Sequence, residues 1–366
     1  MNKIVFITNA MLIGGAEKVI ATLSNYFVNK GVEVSIITIM NTECQFNLNE
    51  QVKCYSIYEK EGKPRRKEYA HYYNKLKEEV RKENPDIVVI MPEEISVKAI
   101  PFLIDLKIPI VVSERNNPWV MPKNKLNRIL RKINYKKVDG IVFQTETAKS
   151  YFSKEIQEKG SVIPNPIDYS RLPKEYDGPR KKNIVSMGRL VEQKNHKLLL
   201  NAFSIIVKEH SEYKLLIYGD GELREELEVL ARNTLPSDSY EIKPATNEVL
   251  NYINDASIFV LSSNYEGLPN ALIEAMALGL PVISTDCQSG GPRSLIQNYK
   301  NGILVEPKNA EDMALAINEL INNKKLADKL GRNAKKIRYL LEEGKIMAKW
   351  ESFFNKVIDN YKGKSK

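Results

Sequence analysis

The chain has 366 residues, 43% hydrophobic and 28% charged, with 55 Lys and Arg against 46 Asp and Glu for a formal charge of +9. That length suits two soluble domains, and no apolar window nears the ~20 residues that cross a bilayer. Three cysteines (Cys44, Cys54, Cys287) and three scattered histidines (His71, His196, His210) show no metal-ligand spacing, which argues against a metal or redox centre.

In chain order, the apolar run Ile4–Ile7 is too short for a signal peptide and reads as a first buried strand, which predicts a cytoplasmic chain. The loop from Asn9 to Glu17 follows, with Gly14 and Gly15 ahead of a helical stripe of Ala16, Val19, Ile20, Leu23 and Phe27. Paired glycines let a backbone approach a ligand closely, and the helix start offers amides to an anion. Many plain strand-to-helix turns also carry glycine. Further strands are predicted at Val32–Ile39, Asp86–Ile90, Ile108–Val112 and Gly140–Gln144. Between the last two lies an acid-free stretch with seven cations: Lys123, Lys125, Arg128, Arg131, Lys132, Lys136 and Lys137. Leu126, Ile129, Leu130 and Ile133 recur there at helical spacing, so the stretch is a basic amphipathic helix. It is either a solvated face or a patch resting on anionic lipid.

Pro164-Asn165-Pro166-Ile167-Asp168 and the polar run to Lys182 read as an interdomain linker. Beyond it the same grammar returns, with strands at Ile184–Met187, Leu215–Tyr218, Ile258–Leu261 and Val282–Ser284. Helices are predicted at His196–Lys208, Glu222–Arg232 and Ala310–Asn322, and an apolar stripe from Leu341 to Tyr361 marks a last one. Strands apolar throughout belong in parallel sheets covered on both faces. The predicted architecture is therefore α/β: two doubly wound Rossmann-like domains, residues 1–170 and 171–340, facing across a cleft, then a terminal segment 341–366.

Two segments in the second half carry chemistry. In the first, Gly188, Arg189 and Lys194 lie between a strand end and a helix, where the two cations either neutralise a diphosphate or are solvated surface charges. In the second, from Ser262 to Val282, Pro269 suits a helix start and Gly279 its end. Amides of Gly267, Leu268 and Asn270 would then form an anion site. Glu266 and Glu274 bracket the helix start; were all eight steps helical they would stand ~12 Å apart, too far to share a proton.

These motifs resemble glycosyltransferase family four, and the resemblance runs over nearly the whole chain. Glu266-Gly-Leu-Pro-Asn with Glu274-Ala-Met-Ala-Leu-Gly-Leu-Pro-Val resembles the family's long signature. Gly188-Arg189-Leu190 with Lys194-Asn195, the Gly14-Gly15-Ala16-Glu17 loop and the Pro164–Asp168 segment occur in the family's order. The resemblance implies the GT-B fold and a retaining transfer of a hexose or N-acetylhexosamine from a nucleotide diphosphate sugar, with UDP favoured over GDP, without metal or other cofactor. It implies that Glu274 binds the ribose, that Arg189, Lys194 and the Gly15 amide hold the diphosphate, and that Glu266 and the amides near Leu268 meet the sugar. Glu266 is then either a nucleophile or a group that positions the sugar. It implies that the last helix crosses back to the first domain. Arg115, between Glu114 and Asn116, stands where many relatives carry a histidine, and these three are assigned to the acceptor or sugar side. The stretch resembles enzymes of surface-polysaccharide and glycan-lipid assembly, which implies a saccharide or lipid-linked acceptor and a peripheral position on the inner face of the cell membrane. Ile242-Lys243-Pro244 departs from the family's apolar-Leu-Gly turn near the nucleobase. Other classes fit less well: an epimerase needs an acid/base pair and no acceptor, and a nucleic-acid binder interleaves aromatic and basic residues. The 18 tyrosines are dispersed instead, so no nucleic acid is expected.

Overall fold

The computed structural model describes residues 1–12, 14–40, 43–58 and 68–364; Ile13 of the glycine loop lies outside them. The chain divides into two units, one of Met1–Pro166 with Gly344–Lys366 and one of Ile167–Glu343.

The first unit is built on seven parallel strands: β1 Lys3–Thr8, β2 Glu33–Thr38, β3 Lys53–Ser56, β4 Ile87–Ile90, β5 Ile110–Glu114, β6 Gly140–Phe143 and β7 Gly160–Val162. Their order across the sheet is β3-β2-β1-β4-β5-β6-β7. Ile4, Val5, Phe6 and Ile7 of β1 are all fully buried, as expected of a strand with helices on both faces. The C-terminal helix Glu343–Lys364 completes this unit: Phe354 stacks on Phe27, and Gly140 leaves the room that Phe353 and Val357 fill.

The second unit repeats the plan with β8 Lys181–Met187, β9 Lys214–Tyr218, β10 Tyr240–Lys243, β11 Ala256–Leu261, β12 Val282–Thr285 and β13 Ile303–Val305. The order is β10-β9-β8-β11-β12-β13, all parallel. In both sheets the winding reverses beside the first strand, between β1 and β4 and between β8 and β11. At such a reversal the loops leaving the two strands diverge and open a crevice beyond their carboxyl ends. The segment read as a linker is divided between the units, Pro164–Pro166 in the first and Ile167 onward in the second, where the Ile167 amide donates to the Leu341 carbonyl at 2.8 Å.

Candidate functional site

In the second unit the two segments predicted to carry chemistry leave the adjacent strands β8 and β11, one on each side of the reversal. The loop after β8 needs Gly188, whose φ of +152° suits glycine. A Cβ at Gly219, in the turn after β9, would overlap the Gly188 carbonyl. Asn195 takes a left-handed φ of 45° and caps the helix His196–Ile206 through the Leu198 amide. Its Nδ2 donates to Asn264 Oδ1 at 3.0 Å. Asn264 in turn donates from Nδ2 to the Glu192 carbonyl and from its amide to the Gln193 carbonyl, both at 2.8 Å. Gln193 donates back to the Tyr265 carbonyl at 3.1 Å. Two loops far apart in sequence are thereby sewn into one surface.

On that surface Lys194 Nζ donates to Glu266 Oε1 at 2.6 Å, with both side chains largely buried. Ser263 Oγ donates to the same oxygen at 2.6 Å, and Ser289 Oγ donates to the Glu266 carbonyl. Arg189 is exposed and its closest side-chain partner is Gln193 Oε1 at 3.4 Å. The helix below runs Asn270–Ala277, with Pro269 at its cap rather than in its first turn. Glu266 therefore lies in the preceding loop and only Glu274 on the helix, so the separation expected from helical rise does not apply. Arg171 Nη1 donates to Glu274 Oε1 at 2.9 Å. Gly267 is packed so closely that a Cβ at Gly291 would overlap its carbonyl, while Leu268 turns its side chain inward. The second unit thus brings Gly188, Arg189, Lys194, Glu266, Gly267, Leu268, Asn270 and Glu274 to one end of its sheet, with two cations and two carboxylates among them.

The first unit carries the remaining candidates at the carboxyl ends of β1 and β5. Gly14 caps the helix Gly15–Val28, and Glu17 folds back so that a Cβ on Gly14 would collide with its carboxylate. Of the three residues assigned to the acceptor or sugar side, Asn116 is half-buried and Arg115 is 8% exposed. Arg115 Nη2 donates to Asn165 Oδ1, its amide donates to Glu93 Oε2 at 3.3 Å, and Nη1 has no partner among the described residues. Burial pulls the Arg115 guanidinium down to about 10, against the pull of Glu93 and Glu17. Glu114 is 1% exposed and faces the interior, where it accepts from Arg131 Nη1 at 2.6 Å and from the Tyr135 hydroxyl at 2.9 Å. Burial pushes the Glu114 carboxyl up and the Arg131 charge pulls it back. Glu114 braces the loop and presents no atom to a ligand.

Arg131 itself corrects the basic-patch expectation. It is fully buried and also donates to the carbonyls of Met121 and Pro118 at 2.7 and 2.8 Å. Arg128 spends its Nη1 on the carbonyls of Val120, Pro122 and Lys123. Two of the seven cations therefore serve the loop before the helix, and five lysines remain exposed: Lys123, Lys125, Lys132, Lys136 and Lys137.

Residues 13–171 match the family described as Glycosyltransferase Family 4, and residues 172–337 match the family described as Glycosyl transferases group 1. An uncharacterized glycosyltransferase of Haemophilus influenzae is 31% identical over 362 residues, covering 98% of both chains. The chain belongs to the family 4 glycosyltransferases. A Campylobacter jejuni relative, 28% identical over 96% of this chain and 97% of its own, is a GalNAc-alpha-(1->4)-GalNAc-alpha-(1->3)-diNAcBac-PP-undecaprenol alpha-1,4-N-acetyl-D-galactosaminyltransferase. The structure of Anabaena HepE in complex with UDP superposes with a TM-score of 0.80 at 14% identity, over 97% of this chain and all of that one, which places the fold among the GT-B structures.

No helix among the described residues of the glycosyltransferase is long and apolar enough to cross a membrane. A groove of about 870 Å³ lies in its first unit beside β7 and the C-terminal helix, lined by Lys159, Lys345, Lys349, Phe353, Lys356 and Tyr361. The groove includes none of the residues singled out from the sequence for the donor or acceptor. Sequence reasoning missed the second rank around Lys194 and Glu266. Asn264 and Ser263 sit inside the quoted motif with no mark distinguishing them from loop polars, and Ser289 lies in a separate turn. His196 was read only as a scattered histidine. It is 3% exposed, and neither ring nitrogen has a hydrogen-bond partner among the described residues. Burial, helped by the Lys194 charge and opposed by the backbone of Arg189 and Gly188, pulls its imidazole down to about 4. The folded glycosyltransferase therefore binds fewer protons here than the unfolded chain. Its stability should fall as pH drops from about 6.5 towards 4, by up to about 3 kcal/mol. Chemical unfolding at stepped pH checks this: His196→Gln should flatten that part of the profile, and an unchanged slope would remove His196 as its source.

Proposed function

We propose that the enzyme is a retaining transferase that moves a hexose or N-acetylhexosamine from a UDP-sugar to a saccharide or lipid-linked saccharide during glycan or polysaccharide assembly, working on the inner face of an anionic membrane. The observation that carries this reading is the Lys194–Glu266 pair beside Arg189, set at the winding reversal with Glu274 on the helix below. The UDP held by HepE supports the nucleotide, and the undecaprenol-linked glycan of the Campylobacter relative supports the acceptor class.

In this reading Glu274 takes the ribose hydroxyls, and Arg171 fixes its carboxylate for that task. Arg189 and Lys194 hold the diphosphate with the Asn270 helix start, and Gly14 and Gly15 are further donor contacts. Negative charge grows on the β-phosphate as the glycosidic bond breaks, and cations already fixed in place stabilise it without reorganising. Glu266, with one oxygen occupied by both Lys194 and Ser263, positions the sugar. The acceptor hydroxyl attacks on the face the phosphate leaves, and the departing phosphate takes its proton. Arg115 and Asn116 belong to the acceptor or sugar side. No metal or other cofactor takes part.

Thermal-shift titration with UDP, GDP and ADP tests the donor reading. UDP is expected to stabilise the protein most, by about 2.7 kcal/mol at a hundredfold excess over Kd. Glu274→Ala should abolish most of that gain. Equal shifts with all three nucleotides, or none with any, would overturn it.

A further inference from the structure

The helix Lys125–Tyr135 is mounted the wrong way round for a protein in water. Its inward face holds Arg131, Asn134 and Tyr135, each hydrogen-bonded inside: Arg131 and Tyr135 on Glu114, and Asn134 through its Nδ2 on the Val97 carbonyl at 2.9 Å. Its outward face carries Leu126, Ile129, Leu130 and Ile133, which are 60%, 58%, 38% and 48% exposed. At 3.6 residues per turn these four side chains share an arc of about 100°. Single exposed apolar residues need no explanation, but a contiguous stripe of four marks an interaction surface. Lys125, Lys132 and Lys136 line one flank of that arc, and no acid occurs between Lys123 and Lys137.

We propose that this stripe enters the acyl layer of an anionic bilayer, so that the enzyme docks by insertion of Leu126, Ile129, Leu130 and Ile133 and not by a cationic face alone. The charge pattern selects this occupant. A second copy of the chain laid on the stripe would set lysines against lysines, whereas anionic headgroups complement them. Lysines beside an apolar arc suit a helix lying in the interface plane, apolar face down and ammonium groups among the phosphates. One lysine, Lys136, is shared with Glu155 at 3.0 Å, and Lys132 packs over the Tyr151 ring, so the flank is held in place. The inward face gives the docking a consequence for the site. Arg131 grips Glu114 and the carbonyls of Pro118 and Met121. The lipid-facing stripe and the loop bearing Arg115 and Asn116 are thus parts of one braced piece. The proposal rests on the lipid-linked reading of the acceptor, which it sharpens by naming the surface that meets the membrane.

Flotation of the full-length protein with vesicles tests it, using phosphatidylcholine alone and phosphatidylcholine with about one-third phosphatidylglycerol. Wild type should float with the anionic vesicles and only weakly with the neutral ones. The double variant Ile129→Glu, Ile133→Glu should lose at least about tenfold in partition, while UDP still raises its melting temperature. The triple variant Lys125→Gln, Lys132→Gln, Lys136→Gln should lose the preference for anionic lipid and keep residual binding. Flotation of the glutamate variant equal to wild type would overturn insertion. Wild type that ignores anionic vesicles yet binds UDP would overturn the membrane surface and leave sugar transfer standing. A wild-type dimer on size exclusion that the glutamate variant dissolves would assign the stripe to a second copy.

Discussion

Replacing Lys194 by alanine is expected to lower kcat by roughly 10²–10³, about 3–4 kcal/mol of lost transition-state stabilisation. The ammonium group sits 2.6 Å from Glu266 at the end of β8, largely withdrawn from water, where a charge acts on a forming phosphate far more strongly than at a solvated surface. Its removal also leaves the Glu266 carboxylate buried with Ser263 as its side-chain partner, so the variant loses both a cation and the order of the loop that carries Glu266. The double variant Lys194→Ala, Glu266→Gln should cost less than the sum of the two single losses, because two members of one pair do not add. Single-turnover rates with a UDP-sugar and an acceptor glycan give the comparison. A Lys194→Ala enzyme within threefold of wild type would remove the lysine from the chemistry.

Arg131→Met should destabilise the first unit by about 3–5 kcal/mol, since it strands a fully buried carboxylate. Arg131 donates to Glu114 and to two backbone carbonyls, so the variant leaves the buried carboxylate and both carbonyls short of a donor. The double variant Arg131→Met, Glu114→Gln should recover a substantial part of the loss, because a neutral amide is less costly to bury than an unpaired charge. Hydrogen exchange of amides in β5 and β6 separates this unit's opening from that of the other. A single-variant loss below about 1 kcal/mol would mean that Arg131 rearranges to solvent and that the pair is ornamental.

The central strands were legible because burial on both faces writes itself as unbroken apolar runs: β1, β4, β8 and β11 all declare themselves this way. The outer strands β3, β7 and β10 were not, because Lys-Cys-Tyr-Ser or Tyr-Glu-Ile-Lys at a sheet edge carries no such run, and β13 escaped because its apolar run Ile303–Val305 is only three residues long. The motifs around Lys194 and Glu266 were legible for a different reason. Glycines, cations and carboxylates are written together at strand ends there, and the fold sets the two loops side by side. What the sequence hid was direction. Helical spacing showed that Leu126, Ile129, Leu130 and Ile133 share a face and that Arg131 lies off it, but the same wheel fits either face turned inward. Only the partners Glu114, Pro118 and Met121 settle that the arginine is the buried one. The same holds for Glu114, whose neighbour Arg115 points elsewhere because alternation along the end of β5 sends consecutive side chains to opposite sides.

The first unit is discontinuous: residues 1–166 and the helix that begins near residue 343 build it together, and the second unit is inserted between them. During synthesis the inserted unit is therefore finished while its neighbour still lacks Trp350, Phe353, Phe354 and Val357, the side chains that close the core over Phe27 and Gly140. The amino-terminal unit cannot complete its core until the inserted unit has been synthesised. Loss of the C-terminal helix would therefore injure the unit whose strands were translated first.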